Sequence, residues 1–424
     1  MGDELALGQK LDTNSRWLAQ RLTELGAVPV EHLTVPDDLE RTTQAFARLA
    51  ASVDLVVTTG GLGPTADDLT RQGLAAAMGD ELVEDADALE QITRWFAGRG
   101  RGMPEMNRVQ ALRPSRARLI PNPNGTAPGI SARMGGDSDG CDVFCLPGPP
   151  GEMMPMFDQS VASALRIAPD RAVSVRVFQT VGLGESDVAA RLGDLMDRGR
   201  NPLVGTTASG GVISIRVRYE GARADAEREI DRTAALVKHR VGDIFFGEGE
   251  VSIAEAVVHE LKRQVRRLAV VESCTGGMLG SMVGDVAGAS DVFEGGWITY
   301  SNGMKNREVN VPASLIAEHG AVSGQVSAAM ADGGRKASGV DYCLAVTGVA
   351  GPGGGTAEKP IGTVWVALST GGGTDVRRFK MAGDRSAVRE WSARSALAML
   401  WFHLSGRPGT SLLRQVEQRS GGDA

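Results

Sequence analysis

The sequence has 424 residues, which is enough for two to three domains of about 150 residues each. Apolar residues make up 42% and charged residues 23% of it, a balance typical of globular proteins. The net charge of -7 disfavours a nucleic-acid or anionic-membrane partner, because affinity for phosphate backbones comes from clustered cations. No apolar run reaches the roughly 18 residues that span a bilayer, and no signal peptide is evident. These features predict a cytoplasmic protein.

The first third of the chain alternates helical and strand-like patterns. Apolar residues at helical spacing predict helices over residues 14–26 and 37–51. Apolar and β-branched runs predict strands over residues 28–35, 54–59 and 143–146. Strands that alternate with helices indicate a parallel sheet covered by helices, so we expect an α/β domain over residues 1–165.

A different pattern follows over residues 166–248. Runs of alternating polarity at 173–178 and 212–219 predict strands, and charged helices are predicted near 186–198 and 222–240. We expect a small α+β middle domain here. The glycine-rich residues 247–250 read as a hinge, because they offer a permissive backbone and no apolar anchor.

A second α/β pattern occupies residues 249–405. It predicts helices at 252–263, from 275 and at 385–404, and strands at 267–272 and near 295–300, 340–347 and 361–369. Residues 406–424 are rich in Gly, Ser and charge, which is typical of a flexible tail. The predicted fold is therefore two α/β domains with mostly parallel sheets, joined by the small α+β domain.

Polar, glycine-rich loops follow three predicted strands of the third domain. Residues 270–277 run from a buried strand into a helix through Ser273, Thr275 and two glycines, and loops at 300–305 and 347–355 also follow strands. Free N–H groups at such a turn suit a phosphate or an oxyanion. The alternative is a helix cap, in which Ser273 or Thr275 bonds the first-turn amides. Since ligands collect at the carboxyl ends of strands, we expect a site there.

The first domain carries a similar loop at residues 58–68. Its glycines follow a buried strand and could cradle a phosphate, while Asp67 and Asp68 could hold a hard cation that bridges to it. The alternative is that the two aspartates cap the helix predicted from about Leu69.

Many motifs in one order give the chain a resemblance to the CinA family along nearly its whole length. They are GDEL at 2–5, TN at 13–14, TGGLGPT at 59–65 with Asp67 and Asp68, GTAPG at 125–129, LPGPPGE at 146–152, ESCTGG at 272–277, GAS at 288–290, YSN at 300–302 with Lys305, HGAVS at 319–323, TGVAGP at 347–352, EKP at 358–360 with GT at 362–363, and GDR at 383–385. Family members start with an apolar strand before the GDE motif. Here Met1 directly precedes Gly2, so either the start of the chain is assigned too late or the sheet lacks that strand.

The resemblance implies two activities. The third domain would hydrolyse the carboxamide of nicotinamide mononucleotide to nicotinate mononucleotide and ammonia, without a cofactor. The first, a molybdopterin-binding-like domain, would cleave the pyrophosphate of ADP-ribose with a divalent metal such as Mg²⁺ held by Asp67 and Asp68. We expect that activity to be weak here because of the missing strand. A homodimer that binds only small nucleotides is expected, and the loop of the first domain would use Asn14, Thr59, Gly60, Gly61 and Gly63.

The residues of the implied amidase favour a serine as the nucleophile and a lysine as its general base. No histidine except His319 accompanies these loops, and burial would lower the pKa of Lys305 and leave a neutral amine. Ser273 is the first candidate nucleophile and Ser290 the rival. Tyr300 and Thr347 would orient the pyridine ring of the substrate or relay protons. The expected substrate-binding residues are Thr275, Gly276, Gly277, Asn302, Gly348, Gly351 and Arg385, the last gripping the phosphate unless it forms only a surface ion pair.

Other classes of function stay open at this stage. The first domain could make the protein an enzyme or binder of pterin cofactors. A non-catalytic interaction protein in competence or damage response is the second alternative, although direct DNA contact is disfavoured by the acidic charge. A zinc hydrolase is disfavoured because no HExxH motif is present, and four cysteines without a CxxC pair indicate reduced thiols.

Overall fold

The computed structural model describes residues 1–136, 140–168 and 170–416. The chain forms two compact units. The first comprises residues 1–174 with 221–224, and the second comprises residues 175–220 with those from 225 onwards. None of the described helices is both long and apolar enough to cross a bilayer.

The first unit is built on a four-stranded mixed sheet. Its strands run in the order β1-β6-β5-β4, with β1 and β6 parallel and the other pairs antiparallel, and β2 and β3 form a separate antiparallel pair. The strands are β1 (Leu55–Thr59), β2 (Leu82–Glu84), β3 (Leu112–Pro114), β4 (Arg118–Ile120), β5 (Gly129–Met134) and β6 (Cys141–Leu146). The helices are α1 (Asp3–Ala6), α2 (Thr13–Leu25), α3 (Leu39–Ala50), α4 (Thr70–Met78), α5 (Ala86–Ala97), α6 (Pro150–Met156) and α7 (Ala162–Ala164).

The central strand β6 explains why this sheet has helices on both faces. Val143 and Cys145 point into one apolar cluster, and Phe144 and Leu146 point into another. All four are at most 4% exposed. A strand buried on both faces reads as a continuous apolar run, which is why the sequence predicted it well.

The predicted strand at residues 28–35 is wrong. These residues are outside any helix or strand. One backbone bond, from Gly2 N to Val35 O at 3.0 Å, ties the end of the segment to the start of the chain. None of the described strands pairs with it, and β-branched composition alone does not make a strand without a partner.

A four-stranded sheet with two helices follows, and all of it except residues 171–174 and 221–224 belongs to the second unit. The strands β7 (Arg171–Val181), β8 (Leu203–Ser209), β9 (Val212–Ala222) and β10 (Phe245–Glu248) lie in the order β10-β7-β9-β8, with α8 (Glu185–Leu192) and α9 (Arg223–Val241). The predicted hinge is partly wrong, because Gly247 and Glu248 belong to β10 and pair with Gln179 and Phe178.

The rest of the second unit is a six-stranded sheet in the order β12-β11-β13-β14-β15-β16. Its strands are β11 (Leu268–Glu272), β12 (Phe293–Ile298), β13 (Tyr342–Gly348), β14 (Thr363–Thr370), β15 (Gly373–Lys380) and β16 (Gln415–Val416). Its helices are α10 (Ile253–Gln264), α11 (Met278–Gly284), α12 (Asn302–Val309), α13 (Ala313–His319), α14 (Gly324–Ser338) and α15 (Arg385–Leu404).

The α/β class is confirmed, and the sheets are mixed rather than mostly parallel. Strands β12, β11 and β13 are parallel, whereas β14, β15 and β16 are joined antiparallel. The carboxyl ends of the three parallel strands therefore meet at one edge, and the loops that follow them meet there too. Apolar clusters with α10 and α15 on one face and α14 on the other bury this sheet.

The first part of the predicted tail is ordered. Leu412 is 5% exposed in the core of the second unit, and β16 pairs with β15. Arg377 Nη1 donates to Thr410 O at 2.6 Å. The prediction of a flexible segment is therefore wrong for residues 406–416, because one leucine and the partners of a buried arginine fix them, and residues 417–424 lie outside the described part.

Candidate active site

Ser273 stands at the carboxyl end of β11 in the centre of this edge. All five residues of β11 are buried, and Ser273 N donates to Val346 O of β13 at 2.9 Å, so the ladder fixes its backbone. Residues 273–277, here called the serine loop, then turn into α11. Gly277 has a φ of 94°, and a Cβ there would lie 3.2 Å from Ile298 Cδ1, so the turn needs glycine.

Lys305 contacts Ser273 from the first turns of α12. Its Nζ lies 3.1 Å from Ser273 Oγ, 2.8 Å from Thr299 O and 3.4 Å from Tyr300 O. The side chain is 1% exposed, and this burial lowers the pKa of the amine from its ordinary value. The two carbonyl oxygens can only accept hydrogen bonds. A neutral amine that donates to both of them has its lone pair left for the serine hydroxyl.

The neighbouring thiol is a poor nucleophile. Cys274 is 5% exposed, and burial raises its pKa to about 12. Since the thiolate is the reactive form, this thiol stays protonated and inert near neutral pH. The loop therefore presents one activated side-chain oxygen rather than a sulfur.

Glu272 is a residue of this site that the sequence reasoning missed. Its carboxylate is 1% exposed and accepts from three backbone N–H groups: Gly277 at 2.9 Å, Leu279 at 3.0 Å and Gly280 at 2.8 Å. A charged residue that ends a fully buried strand was the available signal, because buried charges are found where they are paired or hydrogen-bonded.

These bonds correct the expectation that the loop glycines offer free amides to a ligand. Gly277 N is taken by Glu272, and Gly276 N donates to Ser273 O at 3.1 Å. The alternative helix cap by Ser273 or Thr275 is also wrong, since α11 has no side-chain bond from its N-cap residue and Glu272 serves that role instead.

Arg385 joins two of the loops from the start of α15. Its Nη2 donates to Tyr300 OH at 2.7 Å, and its Nη1 donates to Gly351 O at 2.7 Å. Asp384 caps the helix by accepting from Ala387 N at 2.8 Å, which fixes the backbone beside the arginine. Both side chains of the Arg385–Tyr300 pair are exposed. The ion-pair alternative is wrong, because these contacts of Arg385 are to a hydroxyl and a carbonyl.

The remaining predicted residues of this edge have different surroundings. Thr347 is fully buried, and its Oγ1 donates to Ala321 O at 2.9 Å, which makes a proton relay through it less direct. Thr275 is also fully buried, but its Oγ1 has no hydrogen-bond partner among the described residues. Gly348 ends β13, and Asn302 is an exposed residue at the start of α12.

Ser290 is not brought to this edge. It is exposed on a short 3-10 turn just before β12, whose first residue Phe293 pairs with Leu268 at the start of β11. Ser273 follows the last residue of β11. Because the two strands are parallel, the serines lie at opposite ends of the sheet, which removes Ser290 as the rival nucleophile.

The first unit brings together most of its predicted loop. Residues 59–63, here called the glycine loop, follow β1. Asn14 Nδ2 donates to Thr59 Oγ1 at 2.9 Å and to Gly148 O at 2.7 Å. Gly61 has a φ of 67°, and a Cβ there would lie 2.2 Å from Thr70 Oγ1. The fold therefore requires glycine at that position.

A buried arginine supports the glycine loop from behind. Arg71 is 1% exposed, and it donates to Leu62 O at 2.6 Å and to Gly63 O at 3.2 Å. Burial lowers the pKa of this guanidinium to about 10, so it remains charged at neutral pH. This residue was also missed from sequence, where it reads as an ordinary helix surface cation.

Asp67 and Asp68 stabilise a turn rather than cap a helix. Asp68 Oδ2 accepts from Thr65 N at 2.9 Å and Thr65 Oγ1 at 2.5 Å, and a bond from Thr65 also lowers the pKa of Asp67. Helix α4 starts at Thr70 without a side-chain cap, so the capping alternative is wrong. Within the described ranges, no group of three or more His, Cys, Asp or Glu side chains could hold a metal.

Three family models match successive parts of the chain. A model described as "Probable molybdopterin binding domain" matches residues 1–167, "Damage-inducible protein CinA KH domain" matches 175–247, and "CinA C-terminal domain" matches 250–404. A crystal structure of the competence/damage inducible protein CihA from Agrobacterium tumefaciens is 34% identical, over 36% of this chain and 93% of that one, with a TM-score of 0.35.

Full-length relatives match at similar identity. A CinA-like protein of Dictyoglomus thermophilum is 39% identical over 404 residues, which cover 94% of this chain and 97% of that protein. A CinA-like protein of Geobacter sp. is 41% identical over 415 residues, which cover 97% of each. The chain therefore belongs to the CinA family.

Proposed function

We propose that the second unit hydrolyses the carboxamide of nicotinamide mononucleotide to nicotinate mononucleotide and ammonia. The observation that carries this proposal is the 3.1 Å contact between Lys305 Nζ and Ser273 Oγ at the carboxyl edge of the sheet. Amide hydrolysis needs a nucleophile and a group that takes and returns its proton. A buried lysine with a lowered pKa, bonded to a serine hydroxyl, supplies both.

The reaction would proceed in two steps. Neutral Lys305 takes the proton of Ser273 Oγ, which attacks the carboxamide carbon, and backbone N–H groups of the serine loop would donate to the oxyanion that forms. The lysine ammonium then protonates the amide nitrogen, the C–N bond breaks and ammonia leaves. In the second step Lys305 takes a proton from water, and the water oxygen attacks the acyl carbon. The bond to Ser273 Oγ breaks, the lysine ammonium returns the proton to that oxygen, and nicotinate mononucleotide is released.

The phosphate of the substrate would bind to Arg385. Among the described residues, two of its five N–H donors have partners, Tyr300 OH and Gly351 O, which leaves the others for an anion. The Tyr300 side chain lies beside this guanidinium and is 56% exposed. The pyridine ring of the substrate could stack on the tyrosine ring.

Ammonia release from nicotinamide mononucleotide by the purified full-length chain tests this proposal. The unsubstituted chain should release ammonia, and Ser273→Ala should reduce turnover at least ~10³-fold. Ser290→Ala is the matched control, since it removes the same hydroxyl at the other end of the sheet. Absence of ammonia release from the unsubstituted chain, or full activity of Ser273→Ala, would overturn the assignment.

The first unit is a candidate for a second activity, cleavage of the ADP-ribose pyrophosphate. The glycine loop, backed by the Arg71 cation, favours binding of a phosphorylated ligand. Asp67 and Asp68 would be the residues that hold a Mg²⁺ ion, which prefers carboxylate oxygens. The ion would neutralise charge that develops on the pyrophosphate. The same loop could instead hold the phosphate of a pterin cofactor.

Thermal shifts separate these two ligands. The melting temperature is measured with ADP-ribose and with molybdopterin, and then hydrolysis of ADP-ribose is followed with Mg²⁺ or a chelator. The proposal expects a shift with ADP-ribose and weak hydrolysis that is lost with chelator or in Asp68→Ala, while amidase activity stays. A shift with molybdopterin alone would favour the pterin alternative.

A further inference from the structure

We propose that Glu272 is the positioning residue of the serine loop: it acts as an internal anion that occupies the amino end of α11 and so denies this end to the phosphate of the substrate. Three observations lead to it: the carboxylate is 1% exposed, it lies directly before Ser273, and it accepts from three N–H groups within one turn. This inference rests on the proposed function, because the reaction in which Glu272 would act is the hydrolysis of nicotinamide mononucleotide.

The first-turn amides of a helix normally lack a partner and carry partial positive charge. Here Gly277 N, Leu279 N and Gly280 N all point at one carboxylate at 2.8–3.0 Å. Met278 N donates to Thr275 O instead. With these donors taken, a substrate phosphate gains no backbone hydrogen bond from them. Its binding is therefore left to Arg385.

The opposite side of the serine loop is also held. Arg389 of α15 donates to Thr275 O through Nε at 3.1 Å and through Nη2 at 2.8 Å. Glu272 thus fixes the N–H groups at the end of the loop, and Arg389 fixes a carbonyl in its middle. With both sides held, the backbone between them keeps one geometry next to Ser273. N–H groups of this fixed stretch would serve as the preorganised donors that oxyanion stabilisation requires.

Glu272→Gln tests the inference in the full-length chain, because it keeps the shape and removes the charge. One oxygen remains to accept, while the new NH₂ group faces N–H donors. We expect kcat for nicotinamide mononucleotide to fall about 10²-fold and KM to stay within about threefold. Glu294→Gln is the matched control on the same sheet, since Glu294 forms an exposed ion pair with Arg267 and should change neither constant.

Amide hydrogen exchange gives a readout that needs no substrate. In the unsubstituted chain the N–H groups of Gly277, Leu279 and Gly280 should be protected although they belong to a helix start, and Glu272→Gln should speed their exchange at least ~10-fold. If they exchange at the rate of unpartnered helix-end amides in the unsubstituted chain, the inference is wrong. Because the exchange rates of the unsubstituted chain do not depend on the variant, they test the inference even if Glu272→Gln does not fold.

Sulfonylation of Ser273 separates positioning from simple stability. Phenylmethanesulfonyl fluoride would form a bond between its sulfur and Ser273 Oγ, the S–F bond would break, fluoride would leave, and Lys305 would take the serine proton. We expect labelling of Ser273, read by mass spectrometry well below the melting temperature, to slow at least ~10-fold in Glu272→Gln. An unchanged labelling rate with a lowered melting temperature would reduce Glu272 to a structural role.

Failure of the proposed function gives a different pattern. The unsubstituted chain would then leave nicotinamide mononucleotide intact, while exchange and sulfonylation would still respond to Glu272→Gln. If the chain is active but KM rises more than tenfold in this variant, the carboxylate shapes the substrate site directly and the positioning assignment is overturned.

Discussion

Two strand–turn–helix loops, one in each unit, are held by buried groups of opposite charge. In the glycine loop the Arg71 guanidinium binds the carbonyl oxygens of Leu62 and Gly63. In the serine loop the Glu272 carboxylate binds N–H groups of Gly277, Leu279 and Gly280. A cation behind the first loop favours an anionic ligand, whereas the second loop already contains its anion. Similar glycine patterns thus indicate different chemistry, and the buried charge beside the loop decides which.

The largest expected effect is a loss of amidase turnover at the serine loop. Lys305→Arg should lower amidase turnover at least ~10³-fold at every pH, because a guanidinium stays protonated and cannot take the serine proton. In the unsubstituted chain the pKa of Lys305 is lowered by burial, so the neutral amine forms as pH rises. The rate should therefore increase with pH and level off below pH 10.5, the ordinary lysine value. A pH–rate profile that is flat from pH 6 to 10 would contradict this role.

The next largest effect is expected in fragments that contain the serine loop but lack the first unit. A fragment of residues 249–416 should fold and retain amidase activity without the glycine loop. A fragment ending at residue 405 should be less stable by about 3 kcal/mol, because burying a leucine contributes ~1.5–3 kcal/mol and Arg377 also loses its hydrogen bonds to Pro408 O and Thr410 O. Leu412 is 5% exposed and Arg377 is 6% exposed, which is why both matter. Denaturant titration of the two fragments measures the difference, and equal midpoints would show that residues 406–416 contribute nothing.

The buried cation of the glycine loop gives the next effect. Arg71→Met should destabilise the first unit by about 2–3 kcal/mol, since two carbonyl oxygens lose charge-assisted bonds. Amidase activity should be unchanged, because none of its proposed residues lies in that unit. Unfolding is followed by intrinsic fluorescence beside an ammonia assay. Loss of amidase activity in this variant would mean that the two loops are not independent.

The smallest effect concerns substrate binding at the serine loop. Arg385→Ala should raise KM for nicotinamide mononucleotide about 10- to 30-fold with little change in kcat, because a phosphate contact is mostly uniform binding. Arg394→Ala is the control on the same helix, where Arg394 Nη1 contacts Ser209 O at 3.2 Å. Steady-state kinetics separate the constants. If kcat alone fell, Arg385 would act on the reacting amide and the phosphate would bind elsewhere.

The sequence was sufficient for most of the helices, for the central strands and for a serine with a lysine base as the candidate catalytic pair. Buried apolar runs such as β6 and β11 have a strong periodic signal. Which serine meets Lys305 could not be predicted, because this depends on the parallel pairing of β11 and β12, and pairing is a non-local property. The partners of Glu272 were hidden for a related reason, since its three bonds form only once α11 has folded back over β11.

Helix α14 shows how tertiary packing overrides local propensity. Its glycines lower helix propensity, and the sequence reasoning left this stretch unassigned. In the structure a Cβ at Gly333 would lie 1.8 Å from Val309 O, and one at Gly334 would lie 2.4 Å from Val271 Cγ2. These glycines let the helix approach its neighbours closely. The penalty to the isolated helix is offset by burial against the sheet.

The four cysteine thiols of this chain are buried and protonated, so they should react slowly with oxidants and alkylating reagents. Burial raises the pKa of Cys274, Cys145 and Cys343 to about 12 and that of Cys141 to about 11. Peroxides, maleimides and iodoacetamide react with thiolates, which are scarce at neutral pH when the pKa is this high. A single cysteine introduced on the surface would therefore take a fluorescent label selectively, with the native four left in place and Ser273 beside an unmodified Cys274.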